Sequence, residues 1–252
     1  ITALVGANGA GKSTLSLTLA GLLEPVTGRV VAGAALAPDA QHPWPVDWTS
    51  RQLASRISYV FQNPEHQFAC SSVLGEVMLG PTRTGVDEST AREHGMALLR
   101  RFHLDQYAQM NPYTLSGGEK RRLTVAAALA AAPRVLILDE PTAVLTPQET
   151  QKLFAVLRRM RDDGKAIIII THKLHEVLSL SDRVAVLRKG EYIGTVNTSE
   201  TNESELTEMM VGKKIELNIE RTEPHDVVPR LEVHHVDCSN REGKLVLDDV
   251  SF

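Results

Sequence analysis

Four short stretches carry residue types that do chemistry. The first is Gly6-Ala7-Asn8-Gly9-Ala10-Gly11-Lys12-Ser13-Thr14. Gly6, Gly9 and Gly11 let the backbone turn sharply, so that successive N–H groups converge on an anion. Lys12 adds a mobile positive charge, and the hydroxyls of Ser13 and Thr14 add hard oxygen donors. The second is Leu138-Asp139-Glu140-Pro141-Thr142, an acidic pair at the end of the apolar run Val135–Leu138. The third is Leu115-Ser116-Gly117-Gly118-Glu119, a glycine-rich entry to an alanine-rich helical segment. The fourth is a pair of isolated polar residues after apolar strands, Gln62 following 57–61 and His172 following 166–170.

The elements needed to position these groups can be read around them. Ile1 to Val5 is a short apolar strand, and Leu15, Leu17, Leu19 and Leu22 follow the glycine loop in a stretch with few breakers. Strand, glycine loop and helix in that order form the context of a phosphate-binding loop, with the helix dipole at the anion. The loop therefore predicts binding of a nucleoside triphosphate, with Lys12 reaching the β- and γ-phosphates and Ser13 a Mg²⁺ ion. Asp139 and Glu140, at the carboxyl end of a buried strand, fall where open α/β sheets bind ligands. Asp139 suits the metal, and Glu140 suits orienting or deprotonating a water. By themselves these two would equally be a solvated strand end, and Ser116 a plain helix N-cap.

Strands are expected at 29–31, 57–61, 135–138, 166–170, 183–187 and 192–196. Helices are expected at 72–79, 89–102, 123–132, 147–163, 174–180 and 203–211. Alternation of the two predicts an α/β protein with a mostly parallel sheet covered on both faces. Residues 33–50, with Trp44, Trp48 and three prolines, read as a surface excursion in which the tryptophans pack locally. Residues 213–229 read as a linker, and 231–252 as a hairpin, with Leu231-Glu232-Val233 and Leu245-Val246-Leu247 as its strands. His172 and His175 lack further ligands nearby, and His234 and His235 would point to opposite faces of a strand.

The composition is ordinary: 252 residues, 23% charged and a formal net charge of -4. That gives no basic footprint for nucleic acid. No apolar run approaches the roughly 18 residues of a membrane span. Residue 1 already lies in a core strand, so no signal peptide is expected. Cys70 and Cys238 are far apart, which predicts a reduced, cytosolic protein.

The order and spacing of 6–14, Gln62, 115–119, 138–142 and His172 resemble the ATP-binding-cassette ATPases over residues 1 to about 212. The resemblance implies a P-loop NTPase fold, with a helical subdomain at 72–132 carrying the signature Leu115–Glu119. It implies ATP and Mg²⁺ as cofactors, with Gly6, Asn8, Gly9, Gly11, Lys12, Ser13 and Thr14 on the nucleotide. Ser13, Gln62 and Asp139 would serve the metal, and Glu140, Gln62 and His172 catalysis. Ser116, Gly117, Gly118 and Glu119 would close on the γ-phosphate held by a second cassette. A dimer and a transmembrane permease docked beside the Gln62 loop are the implied partners, at the cytoplasmic face of a membrane.

Three departures from the family pattern stand out. The chain begins inside the phosphate-loop strand, without the antiparallel β-layer and adenine-stacking aromatic that relatives place before it. Residues 230–252 resemble that opening, as the start of a second cassette or a permuted β-layer segment. Thr146 stands where most relatives carry aspartate. In addition, the first half resembles energy-coupling-factor importers and the second half tandem-cassette importers of simple sugars and nucleosides, which suggests a hybrid. An ATPase subunit of an importer is the expectation. A weakly binding, inactive cassette and a soluble non-transport ATPase are its rivals.

Overall fold

The computed structural model describes residues 1–37, 43–213, 232–239 and 245–251. The chain separates into two compact units, 1–215 and 216–252. The first is built on a six-stranded sheet. In chain order its strands are β1 (Thr2–Val5), β2 (Ile57–Val60), β3 (Val135–Asp139), β4 (Ala166–Ile170), β5 (Arg183–Arg188) and β6 (Glu191–Asn197). Their spatial order is β2-β3-β4-β1-β5-β6, all parallel except β6, which returns antiparallel beside β5. Parallel strands require crossovers, and the helices provide them. They are α1 (Lys12–Leu19), α2 (Ser50–Arg56), α3 (Val73–Thr84), α4 (Glu88–Arg101), α5 (Gly117–Ala130), α6 (Pro147–Asp162), α7 (Leu174–Leu180) and α8 (Glu203–Val211).

The central strands are apolar on both faces, as sheets covered by helices must be. Leu136, Ile137 and Leu138 of β3 and Ile167, Ile169 and Ile170 of β4 are buried. Helices α3, α4 and α5 pack on one another through Val73, Leu74, Val77, Ala91, Leu99 and Leu123. Gly95 of α4 lies so close to Leu74 that a Cβ would sit 3.2 Å from its Cδ1.

Several expected boundaries moved. Arg29–Val31 forms no strand; Val31 is exposed, and among the described residues no neighbouring strand offers its backbone a ladder. Helix α3 runs five residues beyond Leu79, through Pro81, because Val73, Val77 and Pro81 fall on one buried face. Helix α5 begins at Gly117, six residues before the alanine-rich stretch, because Ser116 caps it. Trp48 is buried under the Arg56 guanidinium, 4.6 Å from its ring, and Trp44 lies 5.9 Å from that of Arg29, so both pack locally.

In the second unit β7 (Val236–Ser239) pairs antiparallel with β8 (Leu245–Val250). The first strand falls later than Leu231–Val233: the described residues Glu232 to His235 precede it. His234 and His235 contact different carboxylates, Glu232 and Asp249. The proposed turn at 240–243 and, apart from Lys213, the linker at 213–229 lie outside the described residues.

Candidate nucleotide site

Strand register brings the separate motifs to one edge. Leu4 of β1 and Asp139 of β3 both lie opposite Ile170, the last residue of β4. The chain therefore leaves the sheet at the same level three times, as the loop beginning at Gly6, as Glu140, and as Thr171-His172. That edge is the carboxyl end of the parallel strands.

Gly6 starts the glycine loop pressed against β5. A Cβ there would lie 2.3 Å from the Leu187 carbonyl oxygen. Gly9 and Gly11 take the left-handed conformation, at φ 79° and 90°. Gly11 is also the N-cap of α1 and offers no side-chain acceptor, so the first-turn N–H groups are open to an anion. Lys12 is buried, and its Nζ donates to the carbonyls of Gly6 (2.9 Å) and Ala7 (3.1 Å), which folds it across the loop. Asn8, Ser13 and Thr14 are exposed.

Asp139 and Glu140 are both buried. Glu140 stands at φ 46°, a conformation uncommon outside glycine, with its N–H donating to Ile170 O at 2.9 Å. Its Oε1 lies 2.9 Å from Nδ1 of His172, while its Oε2 is buried with no hydrogen-bond partner. The structure thus pairs His172 with Glu140. Two further side chains join the loop after Glu140 to that of His172. Thr142 Oγ1 donates to the buried Glu176 (2.6 Å), and Lys173 Nζ reaches Glu176 Oε1 (3.2 Å) and Thr142 O (3.1 Å).

Asp139 also gains partners that the motifs did not indicate. The Tyr59 hydroxyl lies 3.3 Å from Asp139 Oδ2 and 2.9 Å from Ser16 Oγ of α1. Burial, opposed by the Ser16 hydrogen bond and reinforced by the Asp139 charge, pushes the Tyr59 phenol up to about 12. Strand parity was the available signal. Tyr59 lies opposite Ile137, and Asp139, two residues on, shares that face.

Gln62 is exposed, and its backbone is tied to the signature helix. Arg121 of α5, fully buried, donates from Nη1 to Phe61 O (2.6 Å) and from Nη2 to Gln62 O. Burial lowers the Arg121 pKa, against the attraction of Asp139 and Glu140. No sequence pattern marks an arginine for burial; its only warning was a helix position shared with Val125 and Ala128.

Ser116 and Glu119 form a reciprocal capping box at the start of α5, with Ser116 N and Oγ 2.8 and 2.7 Å from Glu119 Oε2. Gly117 has open space beside it, whereas Gly118 lies near Glu149. Thr146 and Glu149 form the same box on α6, so Thr146 does the capping that an aspartate there would do. Glu149 Oε1 also reaches Arg122 Nη1 at 3.1 Å, joining α6 to the signature helix. Among the described residues, no hydrogen bond or ion pair joins 116–119 to 6–14.

The donors at the edge suit a hard cation: the exposed Ser13 hydroxyl and the Asp139 carboxylate are oxygens of the kind Mg²⁺ takes.

A sequence profile described as ABC transporter matches residues 1–143. The chain is 37% identical over 242 residues to the ribose import ATP-binding protein RbsA of Yersinia pestis, covering 94% of this chain and 46% of that protein. It is 33% identical over 261 residues to the energy-coupling factor transporter ATP-binding protein EcfA2 of Methanospirillum hungatei, covering 99% and 64%. It thus spans about half to two thirds of those two relatives, and each matches nearly all of it. Among solved structures, cbiO1 of Clostridium perfringens, part of the ABC transporter complex cbiONQ, superposes with a TM-score of 0.66 at 32% identity, covering 82% of this chain and 80% of that one. With the phosphate loop, the acidic pair and the capped signature helix in one parallel-sheet frame, the chain belongs to the ABC transporter family of ATPases.

Proposed function

We propose that the chain is the ATP-binding and ATP-hydrolysing subunit of an importer, acting at the cytoplasmic face of a membrane through a permease. The observation that carries this reading is the Glu140–His172 contact at the edge where the glycine loop also emerges, with one Glu140 oxygen held and the other buried and free. In this reading Gly6, Asn8, Gly9 and Gly11 wrap the phosphates with backbone amides. Lys12 exchanges the carbonyls of Gly6 and Ala7 for β- and γ-phosphate oxygens. Ser13 and Asp139, with Gln62, hold Mg²⁺, which when bound offsets phosphate charge. Glu140 Oε2 accepts a hydrogen bond from the attacking water, and His172 fixes the carboxylate through Oε1.

Ser116, Gly117, Gly118 and Glu119 would act on the nucleotide of a second cassette. The absence of bonds between 116–119 and 6–14 among the described residues supports this. Residues 1–212 are taken as the cassette, with 72–132 as its helical part, 213–229 as a connection and 230–252 as β-layer or the start of another cassette. We assign the permease contact to a groove of about 660 Å³ lined by Arg51, Gln67, Glu76, Arg83 and Ala127, next to the Gln62 loop. Import is the direction named for the Yersinia relative. Among the described residues no helix is long and apolar enough to cross a membrane.

The test uses purified protein and a fluorescent ATP analogue. Lys12→Ala should abolish binding, because the loop loses its only lysine; unchanged binding removes the phosphate-loop assignment. Glu140→Gln should bind normally, release no phosphate, and shift to dimer with ATP in light scattering. Wild-type protein that releases no phosphate with Mg²⁺ at high concentration would replace this reading with a non-hydrolytic cassette.

A further inference from the structure

We propose that Tyr59 is a positioning residue for Asp139: its hydroxyl, backed by Ser16, holds the carboxylate in the orientation that receives the metal ion. Three elements meet at this point. Tyr59 comes from the edge strand β2, Ser16 from α1 directly behind the glycine loop, and Asp139 from the end of β3. The ring lies along β3 because Tyr59 is registered opposite Ile137, and an aromatic reaches the diagonal neighbour two residues on. It is braced by Phe61, with ring centroids 4.8 Å apart.

The hydrogen count gives the contact a direction. Ser16 and Tyr59 each have one hydroxyl hydrogen, whereas the Asp139 carboxylate and the Ser13 carbonyl only accept. Ser16 Oγ lies 2.9 Å from both Ser13 O and the Tyr59 hydroxyl. Asp139 receives a hydrogen bond only if Tyr59 donates to it, and Tyr59 can then accept from Ser16. Tyr59 donates to Asp139, and the single Ser16 hydrogen is divided between the Ser13 carbonyl and the Tyr59 oxygen, so Ser16 braces the phenol from behind. This arrangement links the helix bearing Ser13 to the strand bearing Asp139, so the two metal donors keep a fixed relation to each other. Partners of this kind typically alter metal affinity by about 10- to 100-fold when removed.

This inference rests on the reading that Asp139 engages Mg²⁺, and the experiment separates the two. Binding of a fluorescent ATP analogue is titrated with Mg²⁺ and repeated in chelator, with thermal melting as the folding control. Tyr59→Phe keeps the ring and its packing and removes one oxygen. It should raise the Mg²⁺ concentration at half-effect about tenfold, leave binding in chelator unchanged, and add nothing in an Asp139→Asn background. Ser16→Ala, which leaves Tyr59 in place, should shift the same quantity in the same direction by a smaller factor. If Asp139→Asn leaves the Mg²⁺ dependence unchanged, the metal assignment fails. If Asp139→Asn raises it while Tyr59→Phe and Ser16→Ala do not, the positioning role fails. Equal losses with Mg²⁺ and in chelator would make Tyr59 a packing residue and overturn the proposal.

Discussion

Replacing Gly6 with alanine tests how much close approach to β5 adds to the dihedral penalty of its φ of 157°. The new Cβ would sit 2.3 Å from the Leu187 carbonyl oxygen and 3.2 Å from the Ala10 Cβ. An ordinary contact needs over an ångström more, and the obstacle is the backbone of β5 rather than a side chain that can swing away. Forcing atoms into a packed region costs about 1–3 kcal/mol, and the rigid obstacle puts Gly6→Ala at the upper end, roughly 3 kcal/mol. In a domain of this size each kcal/mol moves the melting temperature by about 2–4 °C, so the loss should be roughly 6–12 °C. Gly9→Ala is the comparison. At φ 79° with nothing within 4 Å, it meets only the left-handed penalty of about 1 kcal/mol, or roughly 2–4 °C. Circular dichroism melts without nucleotide measure both, and ATP binding should weaken more in Gly6→Ala because relieving the clash with Leu187 O displaces the loop whose amides would face the phosphates. A Gly6→Ala melt within about 2 °C of wild type, or a larger loss in Gly9→Ala, would refute the argument from close approach.

Two further outcomes follow from the same structure. Arg121→Leu strips the Phe61 and Gln62 carbonyls of their donors; at about 1–3 kcal/mol per orphaned group it should cost roughly 3 kcal/mol in urea unfolding, and lower phosphate release more than ATP binding. Glu149 is held below the usual 4.5, chiefly by the Thr146 backbone N–H, so its contribution to stability is complete above that value and is lost as the pH falls through its folded-state pKa. Glu149→Gln keeps a capping-box acceptor but cannot titrate or pair with Arg122, so the difference in unfolding midpoint between wild type and variant should shrink as the pH falls from 6 to about 3. A difference that stays constant with pH would show that the carboxylate charge is not what stabilises this corner.

Much of the molecule was legible along the chain because its signals are local. The glycine loop, the apolar strands and the cap at Ser116 depend on residues within a few positions, so their chemistry could be read in order. The sequence by itself determined the alternation of strands and helices and which polar residues follow the buried strands. Local signals failed where a distant partner decides. Among the described residues Val31 has no neighbouring strand, so Arg29–Val31 is not a strand, and the buried face of α3 carries its helix through Pro81.

Only the tertiary structure decided how the motifs meet. Register placed Gly6, Glu140 and His172 at one edge, and turned His172 onto Glu140. It also set Tyr59 beside Asp139 across 80 residues and Arg121 under Gln62 across 59. Spacing along a chain says nothing about which strands become neighbours. Hydrogen bonds between strands, and the burial they impose, select these partners once the sheet has closed.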